Sequence, residues 1–142
     1  MAQSVAGLPV GRSKREACWW AYGWVVDVVY PGFGVIVVEG ERFEHDVVVE
    51  AGRARPRKKG PSKVHRHRYG HTPLSPDEDI PWSRPRLVVG TGASGQLPIM
   101  PEVWEEAQAR GIELIAQPTA EACRQLGSID SQDVFAILHV TC

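Results

Sequence analysis

Leu87-Val88-Val89-Gly90-Thr91-Gly92-Ala93-Ser94-Gly95 is a short apolar run that enters a glycine-rich turn, as a buried central strand does at its carboxyl end. Pro101 to Arg110 then reads as a helix: proline stands in the first turn, Glu102, Glu105 and Glu106 favour the positive amino-terminal half, and Gly111 stops it. Val103, Trp104 and Ala107 share its apolar face. Ile112 to Ala116 is a second strand, Thr119 is placed to cap a short helix ending at Leu126-Gly127, and Val134 to Val140 is a third buried strand. Strand–helix–strand–helix–strand predicts an α/β fold with helices layered on a sheet, and right-handed crossovers between parallel strands.

Upstream, Pro31-Gly32 reads as a turn, Phe33 to Val38 as a β-branched strand, and Phe43 to Val49 as its returning arm after the tight connection Glu39 to Arg42. That N-terminal hairpin adds antiparallel strands, so the expected architecture is a single three-layer domain around a mixed sheet. Ala51 to Arg86 reads as mostly loop, a length that implies function or mobility. The expected organisation is an extension over 1–27 and a domain over 28–142 with a basic loop at about 51–72.

Composition narrows the function classes. A chain of 142 residues makes one domain, and 43% hydrophobic residues with a formal net charge of −1 exclude disorder as a description of the whole. Three distant cysteines, Cys18, Cys123 and Cys142, make no disulfide framework and suit a reducing compartment. The apolar run Ala17 to Val26 is too short to span a bilayer, which takes roughly 20 residues. A cytoplasmic location is expected; the alternative is a mitochondrial presequence, because the first 15 residues carry three bases and no acid. Trp19, Trp20 and Trp24 read as a cover for the core or an extra strand, against a membrane or partner contact.

Charge is unevenly distributed. Arg53, Arg55, Arg57, Lys58, Lys59, Lys63, Arg66 and Arg68 are half of the 16 bases, and no acid occurs from Ala51 to Pro76. They are the candidate partner-binding residues, read as a solvated loop or as a dock for an acidic partner, including Asp77-Glu78-Asp79 of another copy in a homo-oligomer. Nucleic acid is the lesser alternative, because Tyr69 alone offers stacking.

In order, Gly32 to Gly40, Phe43-Glu44-His45-Asp46-Val47, Leu74 to Pro81, Gly90 to Gly95, Gly111-Ile112-Glu113 to Pro118-Thr119, and the ending Leu138-His139-Val140-Thr141-Cys142 resemble the Mth domain family. That family includes an adipogenesis-associated member and a mitochondrial assembly factor for respiratory complex I. The resemblance covers roughly 28–142 and implies a compact three-layer α/β domain without an established enzymatic activity, some of whose relatives act through protein partners. The first 27 residues and the long basic segment depart from the family pattern.

Gly90, Thr91, Gly92, Ala93, Ser94 and Gly95 satisfy G-x-G-x-x-G, but Pro98 and Pro101 delay the helix that a dinucleotide pyrophosphate needs, and Gln117 stands where an acid would hold the ribose. The turn also lacks the second glycine of a nucleophile elbow, since Gln96 occupies that place. What remains is either an anion nest with Thr91 and Ser94 hydroxyls, joined by His139, or glycines chosen for positive φ and close packing. On a strand His139 and Thr141 share one face and Cys142 the other, which speaks against a Cys–His pair. Asp46 reads as a solvated rim residue, with orientation of a distant histidine as the alternative. His65, His67 and His71 have ligand-like composition, but Arg66 and Arg68 oppose a cation, so no metal and no cofactor are expected.

The expected function is a non-enzymatic binding or assembly module acting through an unidentified protein partner, without a membrane span. The alternatives are a small-anion or ligand-binding protein or small enzyme built on the Gly90–Gly95 turn, and nucleic-acid or acidic-partner binding through the basic loop.

Overall fold

Glu39 and Gly40 both hold positive φ, 51° and 82°, as do Ala51 and Gly52 at 53° and 75°. Paired positive φ values make the two-residue turns that match the twist of a hairpin, and the amino-terminal half is built on these two. Residues 24–142 are described, in a computed structural model. The first turn joins Val35–Val38 (β2) to Glu41–Phe43 (β3), and Val28–Gly32 (β1) lines the other side of β2 in a three-stranded antiparallel sheet. The turn expected at Pro31-Gly32 falls instead at Phe33-Gly34, where Gly34 has φ 87°. The edge strand β1 carries Pro31 through an irregular register between Val29 and Gly32, a place that tolerates a missing N–H.

The second arm expected over Phe43 to Val49 splits in two. Phe43 ends β3, and Val47–Glu50 (β4) leaves for a five-stranded sheet, where it pairs with Arg53–Pro56 (β5) across the second turn. Val47, Val48 and Val49 are all buried because this sheet is covered on both faces, which a two-stranded hairpin cannot provide. β5 corrects the reading of 51–86 as loop; it is charged and ends in proline, as edge strands are. Gly60–His65 then forms a 3-10 turn, Arg66–Tyr69 a single helical turn (α1), and Gly70 closes it at φ 77°.

The remainder follows the expected order. Arg86–Thr91 (β6), Pro101–Ala109 (α2), Glu113–Gln117 (β7), Thr119–Leu126 (α3) and Val134–His139 (β8) complete the five-stranded sheet in the order β5-β4-β8-β6-β7. β6 runs parallel to β7 and β8, whereas β4 is antiparallel to β5 and β8, so the sheet is mixed.

Side-chain alternation divides two cores. Val47, Val49, Val88, Ala136 and Leu138 face α3 and the three-stranded sheet, whose Ile36 and Val38 are buried with them. Val48, Leu87, Val89, Phe135 and Ile137 face α2 and the segment carrying Leu74 and Ile80. Thr119 does not cap α3 with its side chain; Pro118 is the cap residue, and the fully buried Thr119 hydroxyl serves a tertiary role.

Candidate functional site

β6 leads through α2 to β7 on one side, and the chain returns past β6 through α3 to β8 on the other. Where neighbouring parallel strands send their connections apart in this way, their carboxyl ends border a crevice. Here those ends are Thr91 and His139, which stand opposite each other in register.

The glycine-rich turn is packed against the chain after β8. Ala93 N–H donates to the Thr141 carbonyl oxygen at 2.7 Å, and Ser94 and Gln96 N–H donate to Cys142 O at 3.0 and 3.2 Å. Gly92 N–H donates to Thr119 Oγ1 at 2.8 Å, and that hydroxyl donates to the His139 carbonyl oxygen at 2.6 Å. Gly92 has φ 105°, and a Cβ there would lie 2.2 Å from the Cys142 carbonyl carbon. Thus the turn's glycine chemistry and most of its N–H groups serve the closure of the domain. Thr91 is buried and Ser94 is exposed, and neither is among the described residues that line the cleft beside His139.

His139 is held by a residue 93 positions away. Its Nδ1 lies 2.8 Å from Asp46 Oδ2, Val140 N–H donates to Asp46 Oδ1 at 3.0 Å, and Arg57 Nη1 donates to Oδ2 at 2.9 Å. Burial alone would raise the Asp46 carboxyl, but hydrogen bonding to His139, the His139 charge, the Val140 N–H and Arg57 prevail and lower it to about 2. Asp46 is therefore an anion at neutral pH and can only accept, which places the proton on Nδ1 of the imidazole. Nε2 of the neutral ring is left as the acceptor, and Thr141 Oγ1 stands 3.2 Å from it.

Behind Asp46 lies a buried ionic network. Arg57 Nε and Nη2 donate to the two Glu78 oxygens at 2.8 and 2.7 Å, and Nη2 also reaches the Pro73 carbonyl oxygen at 3.0 Å. Ser62 Oγ donates to Glu78 and lies 2.7 Å from Ser75 Oγ. Burial opposes the Arg57 charge, but Glu78 and Asp46 more than restore it and raise the guanidinium above its usual value. This network staples the basic segment to the acidic loop within one chain. His65 Nε2 sits 3.2 Å from Asp77, and Arg55 donates to the Asp79 carbonyl oxygen at 3.2 Å. Arg57 is thereby corrected from a partner-facing cation to a buried structural one, 7% exposed.

The staple positions Lys59, Lys63 and Arg66 over the end of β8. They border a cleft of about 360 Å³ with His71, Thr72, His139, Thr141 and Cys142. Among the described residues, no Asp or Glu lines it, and Lys59, Lys63 and Arg66 are its cations. Among the described residues no ion pair engages Lys59, Lys63 or Arg66. Arg53, Lys58 and Arg68 face solvent, Arg68 over the Tyr69 ring at 5.5 Å. His65 and His67 lie on helical backbone, where residues two apart diverge, and no group of three His, Cys, Asp or Glu among the described residues is arranged to hold a metal ion. Trp19 and Trp20 lie outside the described residues; the Trp24 ring packs over Gly52.

Local sequence singled out His139 but not the cleft. Its wall comes from two segments distant in sequence, Lys59 to Thr72 and His139 to Cys142, and the one available signal was the cluster of bases facing a loop of acids.

A mixed sheet covered by helices on both faces, with a small second sheet on one of them, defines a small α/β domain. The family described as proteins of unknown function (DUF498/DUF598) matches residues 29–139, and the chain belongs to it. A conserved hypothetical protein from Pyrococcus horikoshii shares 30% identity over 81% of this chain and 98% of that one, with a TM-score of 0.69. The structure named MT938 shares 24% identity over 82% and 99% with a TM-score of 0.64, and a Mth938-like domain from Bordetella pertussis shares 21% over 81% and 85% with a TM-score of 0.54. These agree with the Mth domain resemblance and carry the fold. No curated protein matches the sequence. No helix among the described residues is long and apolar enough to cross a membrane.

Proposed function

We propose that this protein is a binding module whose recognition site is the cationic cleft at the carboxyl end of β8, and that it takes a small ligand bearing a phosphate or carboxylate. The observation that carries this reading is the wall itself: Lys59, Lys63 and Arg66 with His71 and His139, and no acidic side chain among them. Three cations with no ion pair among the described residues, held around one cleft, repel one another, and an anion relieves that cost. The cleft is of a size that takes a small molecule, and it stands at the strand ends where open α/β sheets bind ligands. The anion reading of the Gly90–Gly95 turn thus moves to the neighbouring cleft, because the turn's N–H groups already have acceptors.

Thermal unfolding in inorganic phosphate or succinate tests it. Ligand at 100 times its dissociation constant adds about 2.7 kcal/mol, a rise of a few degrees for a domain of this size. The combined variant Lys59→Ala/Lys63→Ala/Arg66→Ala retains the fold and loses the rise. An equal rise in that variant would place the anion elsewhere.

A further inference from the structure

Asp46, His139 and Thr141 are connected as a carboxylate, an imidazole and a hydroxyl in line. Asp46 Oδ2 lies 2.8 Å from Nδ1, and Nε2 lies 3.2 Å from Thr141 Oγ1. Asp46 is 5% exposed in its side chain and His139 13%, so the pair is fixed and largely dry, while both His139 and Thr141 reach the cleft wall. A base within hydrogen-bond reach of a hydroxyl, itself oriented by a third group, is the arrangement that activates a nucleophile, and it is recognised by geometry rather than by sequence order. Thr141 lies just beyond the end of β8 with its hydroxyl beside His139, and the Asp46 carboxylate reaches His139 from another part of the fold.

We propose that the cleft hydrolyses a small carboxylic ester carrying a second, anionic group, with Thr141 as nucleophile and His139 as general base. This rests on the anion-binding reading above, which supplies the hold on the substrate. Thr141 Oγ attacks the ester carbonyl carbon as its proton passes to His139 Nε2. The tetrahedral intermediate then expels the alcohol oxygen, which takes that proton from His139, leaving the acyl group on Thr141. Water, giving its proton to Nε2, attacks the acyl carbon; the acid departs and Thr141 recovers its proton from His139. Lys59, Lys63 and Arg66 hold the anionic group and make the cleft favourable for the oxyanion. Asp46 is a positioning residue: it keeps the proton on Nδ1, so Nε2 is free to accept.

The test uses the full chain with two chromogenic esters of similar size, mono-4-nitrophenyl succinate and neutral 4-nitrophenyl butyrate. Nitrophenolate release from the succinate ester should exceed that of heat-denatured protein, with a succinyl group found by mass spectrometry on the peptide carrying Thr141. His139→Gln should lower the rate by about a hundredfold or more, in keeping with the 10²–10⁴ contributed by a positioned base. Thr141→Val, which keeps the shape and removes the hydroxyl, should abolish acylation at that peptide, and Thr141→Ser should keep it.

His139 faces Asp46 on one side and shares the cleft with Lys59, Lys63, Arg66 and His71 on the other. Asp46→Asn should lower kcat on the succinate ester with KM little changed, because the amide can donate to Nδ1 and leave the proton on Nε2; an unchanged kcat in the folded variant overturns the relay. Release unchanged in Thr141→Val, succinylation of lysines alone, or no release above background also overturns it. Phosphate binding without acylation overturns the hydrolysis and leaves the binding reading standing. Equal turnover of both esters, with Thr141 acylated, overturns the anion reading and leaves the relay.

Discussion

Asp46 accepts from three donors with two oxygens, and this one carboxylate links the ligand-facing histidine to the buried staple. Its stability contribution has a definite sign. A carboxyl held at about 2 instead of its ordinary 3.8 stabilises the fold above the ordinary value, and that contribution disappears as pH falls through the lowered one. It corresponds to roughly 2 kcal/mol. Urea unfolding should therefore show stability falling between about pH 4 and pH 2, with a shallower fall in His139→Gln, where the imidazole bond and its charge are gone. Arg57 obeys the harsher arithmetic of buried ions. Its Asp46 and Glu78 partners are 5% and 4% exposed in their side chains, so Arg57→Met strands two buried carboxylates and should cost about 3–5 kcal/mol at neutral pH. Adding Glu78→Gln removes one of those charges and should recover part of the loss, which denaturant midpoints would read directly.

α3 and the Gly90–Gly95 turn meet through Thr119, whose hydroxyl accepts from Gly92 N–H and donates to the His139 carbonyl oxygen. Thr119→Val keeps the side chain's volume and leaves both groups buried without their partner, so it should cost about 1–3 kcal/mol. In hydrogen exchange the Gly92 amide should lose protection first, while β7, outside this junction, keeps it. The elements over 87–140 were legible in the sequence because each is marked locally: apolar runs for β6 and β8, Pro101 and Gly111 at the ends of α2. The junction was not. Thr119 sits where a helix cap belongs, and only the packing of β6 beside β8 shows that its hydroxyl is spent on the strand ends. β5 escaped for a related reason, since Arg53-Ala54-Arg55-Pro56 looks like a loop until Val47 to Glu50 is seen to need a partner. Asp46 was legible only in its second reading: it is buried and not a solvated rim residue, and it does hold a distant histidine, but no local pattern joins residues 93 apart and so none named His139.

Over the whole molecule, charge is sorted by depth. The net charge is only −1, yet the network of Asp46, Arg57 and Glu78 is buried, whereas Lys59, Lys63 and Arg66 stand exposed around the cleft. Salt distinguishes the two populations, because the screening length shortens from about 10 Å at 0.1 M to about 3 Å at 1 M only where solvent ions can enter. The surface pairs Arg42–Glu44, Arg86–Glu113 and Arg110–Glu106 are exposed on both sides and contribute little in any salt. The melting temperature of the ligand-free protein should therefore change little between 0.1 and 1 M sodium chloride. The rise produced by a fixed phosphate concentration should fall by more than half over the same range, since its source is exposed charge with which chloride also competes. A ligand-free melting temperature that dropped in step with the phosphate effect would mean that solvent reaches the Arg57 network. The staple that holds Lys59, Lys63 and Arg66 over β8 would then be open in solution, and the cleft would be only one of the segment's arrangements.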